Sequence, residues 1–157
     1  MDGQSCASGG GPSPLPCSAV LELTDEVYAG IVGHSYDGLP LEACGLLAGD
    51  AALAKATVFY PCVNVARSSR IYTVDPKEHL RADRDAEDRG LEIIGVVHSH
   101  THTEAYPSPT DVAQAPDPGW HYVIVSLKRD APELRSFRIV AGVIAEEPVE
   151  LATGNGA

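Results

Sequence analysis

His98, Ser99 and His100 stand together, seven residues follow, and then come Ser108 and, after two more residues, Asp111. Two imidazoles and one carboxylate are the donor types that hold a zinc ion with its fourth position open. That open position separates a reactive zinc from one that only holds a fold together. Zinc there brings the pKa of water from ~15.7 down to ~7, so hydroxide becomes available at neutral pH. Each half of the pattern also has an ordinary reading. Ser108-Pro109-Thr110-Asp111 is a good helix start, with Ser as N-cap, Pro next and an acid in the first turn. A His-x-His pair on a strand can be merely structural. The combination is stronger than its parts, because one loop brings all these groups together, and a residue at a helix start is rigidly placed.

Hydrolysis at such a centre needs a proton acceptor. Glu42, in Pro40-Leu41-Glu42-Ala43-Cys44-Gly45, is the best candidate: an ionisable residue beside an apolar strand. From spacing alone, a solvated loop glutamate is the favoured reading. Cys44 reads most simply as a small buried residue. His102 shares the strand parity of His98 and His100. It either closes the site as a fourth ligand or, where the chain has left the strand, lines the cleft or faces solvent; the second reading is preferred. His34, His79 and His121 have no partner spacing and read as ordinary core or surface residues.

These groups must be positioned by the elements around them. In a strand, residues two apart share a face, so His98 and His100 point one way and Ser99 the other. The continuous apolar run 91–98 is the expected centre of a sheet. The loop 101–107 must fold back to bring in Asp111, with Pro107 setting the return. A short helix then starts at Ser108 and ends before Pro116. Upstream, a strand at 20–23 precedes a helix over 25–36 capped by Thr24, with Val27, Ile31 and His34 at helical spacing. Strands are expected at 44–48, 54–65 (interrupted at Pro61) and 70–74. A charged helix opens at Pro76 and stops at Gly90. Strands at 121–127, 134–140 and 142–149 follow, the last two joined at Ala141-Gly142. This is an α/β domain, a mixed sheet with helices packed on it.

The chain has 157 residues, enough for one core, and 44% hydrophobic residues to build it. A Gly-, Ser- and Pro-rich leader at 1–18 reads as disordered, 19–151 as the domain, and 152–157 as a frayed tail. The net charge of −11 argues against nucleic acid and anionic membrane surfaces as partners. No apolar run reaches bilayer-spanning length, and the N-terminus lacks a signal-peptide pattern. Four cysteines without a C-x-x-C pair argue against a disulfide framework or thiolate zinc site and fit the cytoplasm.

Taken together, Glu42, His98-Ser99-His100, Ser108 and Asp111 resemble the JAMM (MPN+) zinc metallopeptidase family over roughly residues 20–145. That resemblance implies a fold of the cytidine-deaminase type, with a mixed sheet sandwiched between helices. It also implies Zn²⁺ held by His98, His100 and Asp111, with Glu42 as general acid–base and Ser108 as donor to the developing oxyanion. Many members carry Pro after the second histidine, where this chain has Thr101. The run 98–108, Glu42-Ala43-Cys44-Gly45 and residues 134–140 look similar instead to a bacterial branch. Its members release cysteine from a ubiquitin-like sulfur-carrier protein ending in Gly-Gly, by recognition of a flexible tail along a cleft walled by 101–106. Glu104 and Tyr106 are contact candidates there. A homodimer is compatible with the fold family. Other readings are an isopeptidase, a protease trimming a carrier precursor, and a metal-free MPN scaffold. A zinc deaminase would need thiolate ligands that are missing here.

Overall fold

The computed structural model describes residues 20–152. The elements are β1 (Leu21–Thr24), α1 (Asp25–Asp37), β2 (Cys44–Asp50), β3 (Lys55–Cys62), α2 (Pro76–Asp88) and β4 (Glu92–His100). After them come α3 (Pro109–Ala113), β5 (His121–Ser126), β6 (Glu133–Val140), β7 (Val143–Glu147) and β8 (Val149–Ala152). Local chemistry sets the helix boundaries. The Thr24 hydroxyl accepts from the Val27 N–H at 3.1 Å, with Asp25 and Glu26 in the first turn of α1. Asp75 caps α2 ahead of Pro76, and Gly90 takes the left-handed conformation (φ 75°) that ends it. Ala141 and Gly142 both have positive φ (52° and 80°), the backbone of a two-residue hairpin turn joining β6 to β7.

The strands form one mixed sheet in the order β7-β6-β5-β4-β2-β3-β1-β8. β4 lies inside it, antiparallel to β2 and parallel to β5. Its alternate side chains enter two cores. Leu47, Val97 and Val123 pack with Val27 and Ile31 of α1 on one face. Leu46, Val96 and Tyr122 pack with Ala82 of α2 and Val112 of α3 on the other. Burial on both faces is the reason for the unbroken apolar run. The two terminal strands of the order, β7 and β8, are separated in sequence only by Pro148. The sheet therefore curls until its edges meet there, and the Leu21 N–H donates to the Pro148 carbonyl at 2.9 Å. α1 packs on one face of the sheet in a core to which every strand but β7 contributes.

Several sequence expectations change. The expected strand at 142–149 is two strands, because Pro148 has no N–H for the ladder and the chain crosses there from one sheet edge to the other. β8 runs to Ala152, which pairs with Thr24 and so lies past the expected domain limit at 151. The segment 70–74 is not a strand; only the bridge Asn64–Val74 forms, since the Asn64 side chain takes up its backbone groups instead. β4 continues two residues past 98, because β5 stays paired with it through His100–Ser126. The leader at 1–18 and the tail beyond 152 lie outside the described residues.

Candidate active site and metal centre

His98 and His100 end β4 on the face that carries Val96, as alternation requires, and Asp111 reaches them from the first turn of α3. All three are buried. The Nε2 atoms of His98 and His100 lie 3.2 Å apart, and Asp111 Oδ2 is 3.2 Å from the first and 3.1 Å from the second. Three ligand atoms at ~2.0–2.1 Å from a tetrahedral zinc stand ~3.3–3.4 Å from one another, so this triangle is close to the size the ion requires. Among the described residues these three form the one cluster of metal-donor side chains.

Neighbouring groups orient each donor. The Nδ1–H of His100 donates to the Glu104 carbonyl at 2.7 Å, which turns its Nε2 toward Asp111. Tyr72 stacks on His98, ring centroids 4.2 Å apart and 17° between planes. Ser108 and Asp111 form a reciprocal capping box: Ser108 Oγ accepts from the Asp111 N–H at 3.0 Å, and Asp111 Oδ2 accepts from the Ser108 N–H at 2.9 Å. Helix capping and donor placement are thus one arrangement. Because Ser108 Oγ is used there as an acceptor, its O–H remains free to donate.

Burial pushes His98 below the ordinary imidazole value, against the pull of Asp111, so it is neutral and able to ligate. Burial also lowers His100, but the Asp111 hydrogen bond, the Glu104 carbonyl and the acidic charges outweigh it and raise the group. For Asp111 burial acts upward, yet hydrogen bonds from His100 and His98 and from the Ser108 N–H hold it well below the usual carboxylate range.

Glu42 joins the same place from the other direction. β2 and β4 pair Cys44 with His98. Continuing that antiparallel register by two residues sets Glu42 opposite His100. Glu42 is 4% exposed, and its Oε1 has no hydrogen-bond partner among the described residues. Burial raises its carboxyl to about 7, with His100 opposing and Asp111 adding to the rise. It is a buried acid, not a solvated loop glutamate. A cleft of ≈ 530 Å³ opens over these groups, lined by Glu42, Arg70, His100, Thr101, His102 and Ser108 among others.

His102 follows the end of β4 and lines that cleft outside the donor triangle, its Nδ1 2.9 Å from Thr101 Oγ1. Glu104 turns its carboxylate outward to Lys128 and Arg129, and Tyr106 packs edge-on against Phe137. Neither side chain lines the cleft. His121 is not an ordinary core histidine. Its Nδ1 is 2.6 Å from Glu147 Oε2, which also accepts from the Ser136 hydroxyl at 2.7 Å, all three buried and remote from the cleft.

Three residues hold the site's elements in place, and the sequence gives no signal of those contacts. Ser99 Oγ, on the far face of β4, accepts from the Ala43 N–H at 2.8 Å and so ties down the residue after Glu42. The Asn64 amide donates to the carbonyls of Glu42 (3.0 Å) and Ile71 (3.0 Å) and accepts from the Ala66 and Thr73 N–H groups. Tyr72 is the third. Each acts across a long sequence separation, and only the parity that turns Ser99 away from the histidines was readable in advance.

A model for prokaryotic homologs of the JAB domain matches residues 24–140. The chain belongs to that family. It is 41% identical to the CysO-cysteine peptidase of Mycobacterium tuberculosis, over 84% of this chain and 91% of the relative. It is 35% identical to the desampylase of Haloferax volcanii, over 69% of this chain and 82% of that protein. A solved structure of a protein from Desulfitobacterium hafniense superposes with a TM-score of 0.78 at 34% identity, covering 85% of this chain and 94% of the other. The JAMM resemblance read from the motif and the mixed α/β fold both stand on these matches. No helix among the described residues is long and apolar enough to cross a membrane.

Proposed function

We propose that this JAB-family hydrolase is a zinc-dependent peptidase. It cleaves the amide bond between the C-terminal glycine of a ubiquitin-like sulfur-carrier protein and cysteine, releasing L-cysteine. The observation that carries the chemistry is the His98–His100–Asp111 triangle beside Glu42, which lines the cleft and has a buried carboxylate oxygen without a partner among the described residues. The observation that points to the substrate is the 41% identity to a CysO-cysteine peptidase over 84% of this chain and 91% of the relative. Hydrolysis of protein conjugates is common to the named relatives, one of which is a desampylase.

Zinc held by His98, His100 and Asp111 would supply Lewis-acid polarisation of the scissile carbonyl and a readily ionised water. Glu42 accepts the proton of the attacking water. With a carboxyl near neutrality it can also return that proton to the departing amine. The free Ser108 O–H donates to the oxygen on which negative charge develops. No covalent intermediate is needed. Burial pushes the Cys44 thiol up to about 12, so it is not a thiolate nucleophile. Cys44 and Cys62 face each other in the β2–β3 register as free thiols, which fits a reducing cytoplasm.

The test is incubation of zinc-loaded protein with the CysO carrier bearing cysteine on its Gly-Gly end, and separately with a C-terminally extended carrier precursor. Mass spectrometry should show free cysteine and intact carrier. Trimming of the precursor alone would replace this reading with the processing or isopeptidase activity that the desampylase relative favours. Purified protein without stoichiometric zinc, inert after zinc addition, would leave a scaffold.

A further inference from the structure

We infer that Arg70 is a subsite for the free α-carboxylate of the residue being released, so that the cleft takes a single C-terminal amino acid rather than an isopeptide branch. This rests on the peptidase reading above and specifies its leaving group. When one residue is removed from the end of a chain, its α-carboxylate lies only two bonds beyond the scissile nitrogen, within ~3.5 Å. That anion must enter a cleft lined by Glu42, with Asp111 buried beside His100, in a molecule of net charge −11. Without an opposing cation it would be repelled. An isopeptide leaving group, a lysine side chain within a protein, has no carboxylate near its amine.

Arg70 is the permanent cation among the residues lining the cleft, where it joins Glu42, His100 and Ser108. No carboxylate among the described residues lies within ion-pairing distance of it. Its guanidinium also takes part in no side-chain hydrogen bond there, unlike Arg129 and Arg135, which are committed to Glu104 and Glu146. A planar fork of N–H donors suits a carboxylate in the two-point geometry that lysine does not reproduce.

Its placement is coupled to the catalytic groups. The Ser68 hydroxyl accepts from the N–H groups of Arg70 (3.0 Å) and Ile71 (3.2 Å), and the Ser68 carbonyl accepts from the Glu42 N–H at 2.8 Å. The Ser69 carbonyl accepts from the hydroxyl of Thr101, which follows His100 directly, at 3.3 Å. Asn64 spans Glu42 and Ile71. The turn that carries Arg70 is thus bonded both to the main chain of Glu42 and to the end of β4.

The test compares two substrates on one carrier: CysO ending Gly-Gly-L-cysteine, and CysO ending Gly-Gly-L-cysteinamide, which lacks the terminal charge. Wild-type protein should favour the acid in kcat/KM by roughly 10- to 100-fold, the worth of one charge-assisted contact, mainly through KM. In Arg70→Gln the acid-to-amide ratio should fall to about one, and Arg70→Lys should give an intermediate ratio. A wild-type ratio near one, or an Arg70→Gln variant that loses both substrates equally, would overturn the carboxylate subsite while leaving cysteine release intact. Cleavage of neither substrate by the wild type would overturn the cysteine-release reading, and the subsite with it.

Discussion

Glu42 is the residue whose surroundings most shape its chemistry. Burial holds its carboxyl at about 7, above the ordinary 4.5. The neutral acid is therefore the form the fold tolerates, and stability present below about pH 4.5 is lost as the pH rises through about 7. Glutamine mimics that neutral form. In chelator-treated protein, Glu42→Gln should raise the melting temperature clearly near pH 8 and little near pH 4.5; an equal shift at both would refute the burial argument. In the zinc-loaded protein the same variant should keep stoichiometric metal and lose turnover, because Glu42 is not a donor in the triangle. Retained hydrolysis would exclude it as the base. Ser108→Ala should lower kcat by about 10²–10³, the usual cost of one oxyanion donor. Because Ser108 also caps α3, its melting temperature should fall by the equivalent of about 1 kcal/mol. Loss of stability with unchanged kcat would confine Ser108 to the cap.

At the scale of elements, the site is a junction of one strand end, one short helix and one irregular segment. β4 supplies two donors on one face and, on the other, Ser99, whose hydroxyl holds the segment of Glu42. Ser99→Ala would leave the buried Ala43 N–H without a partner, at a cost of about 1–3 kcal/mol. It should also reduce kcat while zinc content stays full, since both histidines remain. Loss of zinc in that variant would show that Ser99 serves the donors instead. The stretch between β3 and α2 has no regular structure because the Asn64 amide substitutes for a strand partner, satisfying backbone groups from Ala66 to Thr73. The loop after β4 is held at the surface by Glu104 with Lys128 and Arg129. Its contribution to the site is the Glu104 carbonyl that fixes the ring of His100.

Across the whole molecule, the two edge strands β7 and β8 are joined through Pro148, and the buried His121–Glu147–Ser136 cluster sits beside that crossing. It ties β5, β6 and the last residue of β7 together just before the chain crosses to β8. His121→Ala should cost about 1–3 kcal/mol, because it removes the 2.6 Å contact to the buried Glu147, which keeps the Ser136 hydroxyl and the Arg138 guanidinium 3.9 Å away. Zinc content and cleavage by the folded fraction should be unchanged. A melting temperature close to wild type would show that the cluster is not part of what holds the curl. The two faces differ: one packs α1 against the sheet, and the other, at the end of β4, carries the candidate site.

Much of this was legible without coordinates. Alternation placed His98 and His100 on one face, the helix-start pattern placed Ser108 and Asp111, and periodicity with caps located most elements, because these depend on neighbours a few residues apart. The motif also named Glu42, though nothing local showed it to be buried. What only the tertiary structure decided depends on distant segments meeting. The run at 142–149 looks like one strand, and its division at Pro148 follows from the curl of the whole sheet. Asn64, Ser99, Tyr72 and Arg70 read as unremarkable polar or aromatic residues until folding brings them against Glu42, His98 and the cleft. Hydrogen bonds between partners 20 to 60 residues apart leave no period in a chain; they are set by which strands pair, and that is a property of the packed sheet.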